Sequence, residues 1–222
     1  VLQMAVSSLG TFYNLEVSPE KVKGKKYNKD YFMNTSAALI GSLGSVVAAW
    51  HRIRNDKEPI ASNQDSTYAE NFLLMLGAEN ITPLMTRIMD ATLVLHGEHT
   101  INASTFTAMV TSSTLANASQ VVASAIGSLS GPLHGGANEK VVSMLSKIDS
   151  KDDIRPWLDD TLKAKNVVWG MGHREYSVKD PRANILTEMV QELFNEREGG
   201  VTDIFEKAIE LEKACEDKLA HK

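Results

Sequence analysis

The sequence predicts an all-α protein. Apolar residues recur at three- and four-residue spacing through most of the chain, N-capping residues stand ahead of several of those runs, and no stretch shows the sustained alternation of a half-buried strand. At 222 residues there is room for one full domain or two small ones.

At the start, Val1, Leu2, Met4, Ala5 and Leu9 run at helical spacing with no capping residue ahead of them, so the chain is expected to begin inside a helix. Ser18-Pro19-Glu20 joins an N-cap to proline at the first helical position and predicts a short helix. A longer one is expected over 30–54, where Phe32, Ala37, Ala38, Leu39, Ile40, Leu43, Val46, Val47 and Trp50 form an apolar face broad enough to imply burial. Further helices are expected over 66–76, 83–96, 102–126, 138–146, 151–165, 181–195 and 203–220. The segment 103–128 is unusual in being built almost wholly from Ser, Thr, Ala, Val and Gly. Small side chains let helix axes approach closely, and hydroxyls can bond back to their own helix. It reads as a helix buried on several sides, either in the core of one subunit or across a subunit interface. Loops are expected at 10–17, 58–64, 127–136 and 167–180, with a boundary between two helical subdomains near 131–136, where Gly and Pro interrupt the pattern.

Composition narrows the function. A formal net charge of −5 argues against a basic nucleic-acid surface. The longest nearly apolar stretch, the 12 residues 39–50, falls short of the roughly 20 needed to span a bilayer. The single cysteine, Cys215, cannot form an internal disulfide, which suits a reducing compartment; no secretory leader is expected.

The chemistry concentrates on histidine. His51, at the end of the long helix, and His221, beside the C-terminus, suit packing or surface roles. The other four lie in Leu95-His96-Gly97-Glu98-His99, Gly131-Pro132-Leu133-His134-Gly135-Gly136-Ala137-Asn138 and Trp169-Gly170-Met171-Gly172-His173-Arg174. Glycines beside a histidine permit close approach of backbone to a ligand. His96 and His99, three apart, could supply two metal nitrogens with Glu98, but the spacing matches neither common zinc-protease pattern, and no metal is expected. Gly170-Met171-Gly172 starts a dinucleotide-like pattern whose third glycine position holds Glu175, and the parallel sheet such a site needs is not predicted. Neither a Walker loop nor a Gly-x-Ser-x-Gly elbow occurs. What remains is acid–base work by histidines beside Arg182, which Asp180-Pro181-Arg182 sets on the first turn of a helix. Arg182 could grip a substrate carboxylate bidentately or pair with Asp180 or a surface glutamate.

Taken in order, His96-Gly97-Glu98-His99 with Asn102-Ala103-Ser104, the glycine-rich run from Gly131 to Glu139, and Gly170-Met171-Gly172-His173-Arg174 with Asp180-Pro181-Arg182 resemble the citrate synthase family. The resemblance implies a large helical domain, 1–133, and a smaller helical closing domain, 134–222, both incomplete in this chain. It implies condensation of acetyl-CoA with oxaloacetate and hydrolysis to citrate and CoA, with no permanently bound cofactor and coenzyme A thioester as substrate. On that mapping His134 hydrogen-bonds the enol or enolate oxygen, His173 polarises and protonates the ketone, and His99 and Arg182 bind oxaloacetate. Met171, Glu175 and Ser177 depart from the family's usual residues, with Lys179 a substitute for Ser177 near CoA; no CoA-contacting residue is assigned. The family's general base is an aspartate in a segment not matched here, so it is expected beyond Lys222, because Asp203 and Asp217 read as surface acids. A cytoplasmic protein (mitochondrial matrix in a eukaryote) and a homodimer or larger homo-oligomer are implied, with 103–128 the candidate interface. Two alternatives stand beside this: a 2-methylcitrate synthase using propionyl-CoA, and a non-catalytic helical assembly module lacking the base.

Overall fold

The computed structural model describes residues 1–13, 29–172, 179–196 and 202–219, and among these residues there are ten α-helices, one short 3-10 turn and no strand. The all-α expectation is met. The helix expected after Ser18-Pro19-Glu20 lies outside the described residues. The chain divides into two compact units, Val1–Gly131 and Pro132–Lys222.

The first unit holds α1 (Leu2–Phe12), α2 (Lys29–Ile53), α3 (Tyr68–Leu76), α4 (Pro83–Leu95), α5 (Ala103–Ser113) and α6 (Ala118–Leu129). Four of these helices start on a side-chain cap, which satisfies an otherwise orphaned N–H. Thr67 accepts from the Glu70 N–H, Thr82 from Met85 with Pro83 at the first helical position, Asn102 from Thr105, and Asn117 from Gln120.

The last of these caps corrects the sequence reading. The helix expected over 102–126 is two helices, because Leu115 turns the backbone left-handed at φ 63° and Asn117 then starts α6 afresh. The two pack on each other as a hairpin, tied by the Thr111 and Ser124 hydroxyls at 2.9 Å and by Ser104 Oγ donating to the Ala125 carbonyl at 3.0 Å. Burial on several sides holds for α6, where Ser119 and Ala123 are buried, and not for α5, which has no buried residue and leaves Phe106, Met109 and Val110 exposed.

Helix α1 crosses α6 antiparallel: Gln3 Nε2 donates to the Ala123 carbonyl, while at the other end Gly10 lies so near Ser119 that a Cβ there would stand 2.4 Å from its Oγ. Small residues are what permit this approach. Helix α2 packs against α1, α3 and α6, and its expected burial holds only in part. Leu39 and Ala48 are buried, whereas Met33, Ile40 and Val47 are exposed.

The second unit holds α7 (Ala137–Leu145), the 3-10 turn Lys151–Asp153, α8 (Ile154–Lys163), α9 (Pro181–Glu196) and α10 (Asp203–Leu219). Its core joins Leu145, Ile148, Ile154, Leu158, Val168, Leu211, Ala214 and Cys215. Around that core, charge pairs tie α8 to α10: Arg155 reaches Glu210 at 2.7 Å and Asp217 at 2.9 Å, and Lys218 meets Asp159. Hydrogen bonds that Arg155 donates to Glu210 and then to Asp217 push its guanidinium still higher in pKa. Such exposed pairs contribute little to stability, so the apolar contacts hold the unit.

Burial pushes the Cys215 thiol up in pKa. Only the thiolate attacks disulfide reagents. Native Cys215 is therefore expected to react far more slowly with a chromogenic disulfide at pH 8 than the same chain in denaturant; equal rates would contradict its burial. The unfolded thiol loses its proton at lower pH than the folded one, so this burial favours folding below the unfolded thiol's titration, and the advantage is lost as pH rises through the folded thiol's.

Candidate functional site

In the first unit, the loop between α4 and α5 carries His96 and His99. His96 ends α4, and its Nδ1 lies 2.7 Å from the Thr92 carbonyl, a contact that makes Nδ1 the donor. Glu98 accepts the Thr100 N–H at 2.5 Å, where Thr100 turns left-handed at φ 56°. His96 and Glu98 thus shape the loop, and His99 beside them is half-buried. Among the described residues no group of three His, Cys, Asp or Glu side chains could hold a metal ion.

In the second unit, His134 sits half-buried in the turn leading into α7. The turn is tight. A Cβ on Gly136 would stand 2.9 Å from the Pro132 carbonyl oxygen and 3.1 Å from its Cα, a backbone approach that a side chain would force open. Gly136 also opens α7 with no side-chain cap, so the positive end of that helix lies two residues from the imidazole.

The loop after α8 has a separate anchorage. Val168 lies in the core, Met171 packs against it, and the Met171 N–H closes a turn on the Val168 carbonyl at 3.2 Å. Gly170 adopts φ 88°, a conformation an L side chain resists, with Val141 3.1 Å from where a Cβ would be. On the other side the Lys140 ammonium stands 4.1 Å from the centroid of the Trp169 ring. The loop is thereby fixed up to Gly172. His173, with Glu175 and Ser177, lies outside the described residues. Lys179 pairs with Glu212 of α10 at 2.5 Å. Met171 and the Lys140–Trp169 contact were not legible as loop anchors, since their partners lie far off in sequence and no spacing marks them.

Arg182 stands on the first turn of α9, as expected, and the structure shows which group meets it. Asp180 takes its Nε at 3.0 Å and its Nη2 at 2.7 Å, and accepts the Arg182 backbone N–H at 2.9 Å. The pairing with Asp180 is therefore real. His99 lies in one unit, and His134 and Arg182 in the other. An imidazole in a glycine-rich turn can exchange a proton or donate to a developing oxyanion, and a guanidinium on a helix start can hold a carboxylate.

Residues 1–222 match, along their whole length, the family model described as citrate synthase, C-terminal domain. A citrate synthase from Acidithiobacillus ferridurans is 41% identical over 219 residues, which cover 99% of this chain and 56% of that protein. A citrate/2-methylcitrate synthase from Bacillus subtilis is 40% identical over 156 residues, covering 70% of this chain and 42% of that protein. Among solved structures, the ternary complex of Thermoplasma acidophilum citrate synthase with carboxymethyl coenzyme A and oxaloacetate superposes with a TM-score of 0.81 at 25% identity, over 99% of this chain and 55% of that one. The chain spans about half the length of these relatives.

Proposed function

Since this chain belongs to the citrate synthase family, we propose that the intact protein condenses acetyl-CoA with oxaloacetate and hydrolyses the resulting thioester, giving citrate and free CoA. The family match over all 222 residues carries the reading. We assign the site to His99, His134, His173 and Arg182 on the resemblance of the segments that carry them.

A thioester methyl group is a very weak acid. A carboxylate takes its proton while His134 donates a hydrogen bond to the enol or enolate oxygen, and the freed carbon pair attacks the ketone of oxaloacetate. His173 gives its proton to the ketone oxygen as that bond forms. His99 and Arg182 hold oxaloacetate, with Arg182 on a carboxylate. Water then cleaves the thioester and CoA leaves. Neither acid weighed as the proton acceptor is left unpaired: Asp203 meets Lys207 at 2.5 Å and Asp217 meets Arg155.

No permanently bound cofactor is required, and a cytoplasmic setting (the matrix in a eukaryote) is proposed. A homodimer or larger homo-oligomer is proposed too, through the exposed apolar face of α5 that carries Phe106, Met109 and Val110. Among the described residues no helix is long and apolar enough to cross a membrane.

The similarity to a citrate/2-methylcitrate synthase supports a second reading, in which propionyl-CoA is the preferred thioester. Thiol release by the intact protein with oxaloacetate and each thioester separates the readings. Faster release from acetyl-CoA is expected. A clear preference for propionyl-CoA would establish the second, and oxaloacetate-dependent release from neither would favour a non-catalytic assembly module.

A further inference from the structure

We propose that Lys140 and Trp169 are a positioning pair, clamping the loop that runs to Gly172, immediately before His173, onto the helix that starts just after His134. This rests on the roles given to the two histidines above.

The loop needs a clamp. Gly170 and Gly172 both take left-handed backbone, at φ 88° and 80°, on either side of Met171. Glycine reaches such angles without steric cost, and for the same reason it leaves the chain free to adopt many others. Contacts must therefore select one conformation. Val168 is buried in the core with Leu145 of α7, and Met171 packs on that core. Val141 of α7 lies 3.1 Å from where a Cβ on Gly170 would stand. Beside it on the same helix, the Lys140 ammonium stands 4.1 Å from the centroid of the Trp169 ring. A cation over an indole face is attracted by the ring quadrupole, and both side chains are half-buried, which limits screening by water.

Lys140 is itself tied to the His134 turn. Its backbone N–H donates to the Gly136 carbonyl at 3.3 Å, within the first turn of α7. Gly136 is two residues from His134 and lies against the Pro132 backbone. The turn at 132–136, the first turn of α7, the Lys140 ammonium and the Trp169 ring thus form one run of contacts within the second unit, joining one histidine segment to the backbone that leads into the other.

In the proposed reaction His134 acts on the thioester-derived oxygen and His173 on the ketone during one bond-forming step. Their mutual placement bears on the barrier rather than on how tightly either substrate is held. Losing the clamp should therefore lower kcat and spare both KM values. A direct pull of the Lys140 charge on an anionic substrate predicts otherwise: removing the charge would raise a KM, and truncating Trp169 would do nothing.

In the intact protein, Lys140→Met, which removes the charge and keeps an apolar stem, is expected to lower kcat about three- to tenfold with both KM values within about twofold. Trp169→Leu should do the same with the charge still present, and the double variant should lose little more than either single one. Lys140→Arg, which can also lie over an indole face, should recover most of the kcat lost in Lys140→Met. Hydrogen exchange followed by mass spectrometry gives a readout apart from activity: segment 168–172 should exchange roughly threefold faster in both single variants than in the parent. Circular dichroism melts identify any variant whose fold is lost. An unchanged kcat in folded Lys140→Met and Trp169→Leu proteins overturns the positioning role, as does a loss confined to the KM of either substrate. If the parent shows no oxaloacetate-dependent CoA release, the histidine roles fail and the positioning role with them, while exchange of 168–172 still shows whether the pair clamps the loop.

Discussion

Alanine at His134 is expected to lower the kcat of the intact protein in the proposed reaction by roughly 10²- to 10⁴-fold, the range for losing a positioned acid–base or oxyanion-stabilising group. Stability should change little. His134 lies in the turn before α7, outside the apolar core of the second unit, and the close approach in that turn is between Gly136 and the Pro132 backbone. KM for oxaloacetate should move less than kcat, because the donor acts on the oxygen of the other substrate as charge develops there. Alanine at His173 should lower kcat comparably. Near-normal turnover in a well-folded His134→Ala protein would count against the enolate-binding role.

A second large effect is expected on stability. Leu158 on α8 is fully buried, in a core shared with Leu145, Ile148, Ile154, Val168, Leu211, Ala214 and Cys215. Truncating a buried leucine to alanine costs about 2–5 kcal/mol, lost transfer free energy plus the cavity left behind. That is a large share of the 5–15 kcal/mol typical of a whole domain. The melting temperature should fall by roughly 10 °C or more, as expected for a unit of this size. Cys215 reports independently, because it belongs to the same core and its reactivity with a disulfide reagent should rise in Leu158→Ala at temperatures where the parent is still protected. Leu158→Met, nearly volume-conserving, should cost less than about 1.5 kcal/mol. Equal melting temperatures for Leu158→Ala and the parent would show that this core does not hold the unit together.

The two effects are linked through one loop. Val168 belongs to the core and Met171 packs on it, so the apolar cluster that stabilises the second unit also fixes the chain up to Gly172, immediately before His173. Met171, read from the sequence as a departure from the family pattern, has a packing role that accounts for a large flexible side chain there.

Helix identity was legible in the sequence because its causes are local. Pro83 after Thr82, Asn102 ahead of Thr105, and Asp180-Pro181 ahead of Arg182 each act within one turn, and each starts a helix in the structure. The three histidine segments were legible as well, since glycines crowd them and their order follows the family. The break at 114–117 was not read, although Asn117 with Gln120 three residues on is a capping signal. Small residues on both sides hid it, and the left-handed Leu115 is settled by the packing of α5 against α6. The exposed faces of α2 and α5 show the same limit: periodicity says that a face is apolar, and only neighbouring helices say whether it is covered.

By itself, then, the sequence determined the all-α class and the starts of most helices, because capping and periodicity are written within a few residues. The tertiary structure decided which acid meets Arg182, what anchors the Gly170–Gly172 loop and where the long small-residue segment breaks. Those outcomes depend on partners brought together by packing or on the orientation of a single guanidinium plane, neither of which leaves a mark on residue spacing.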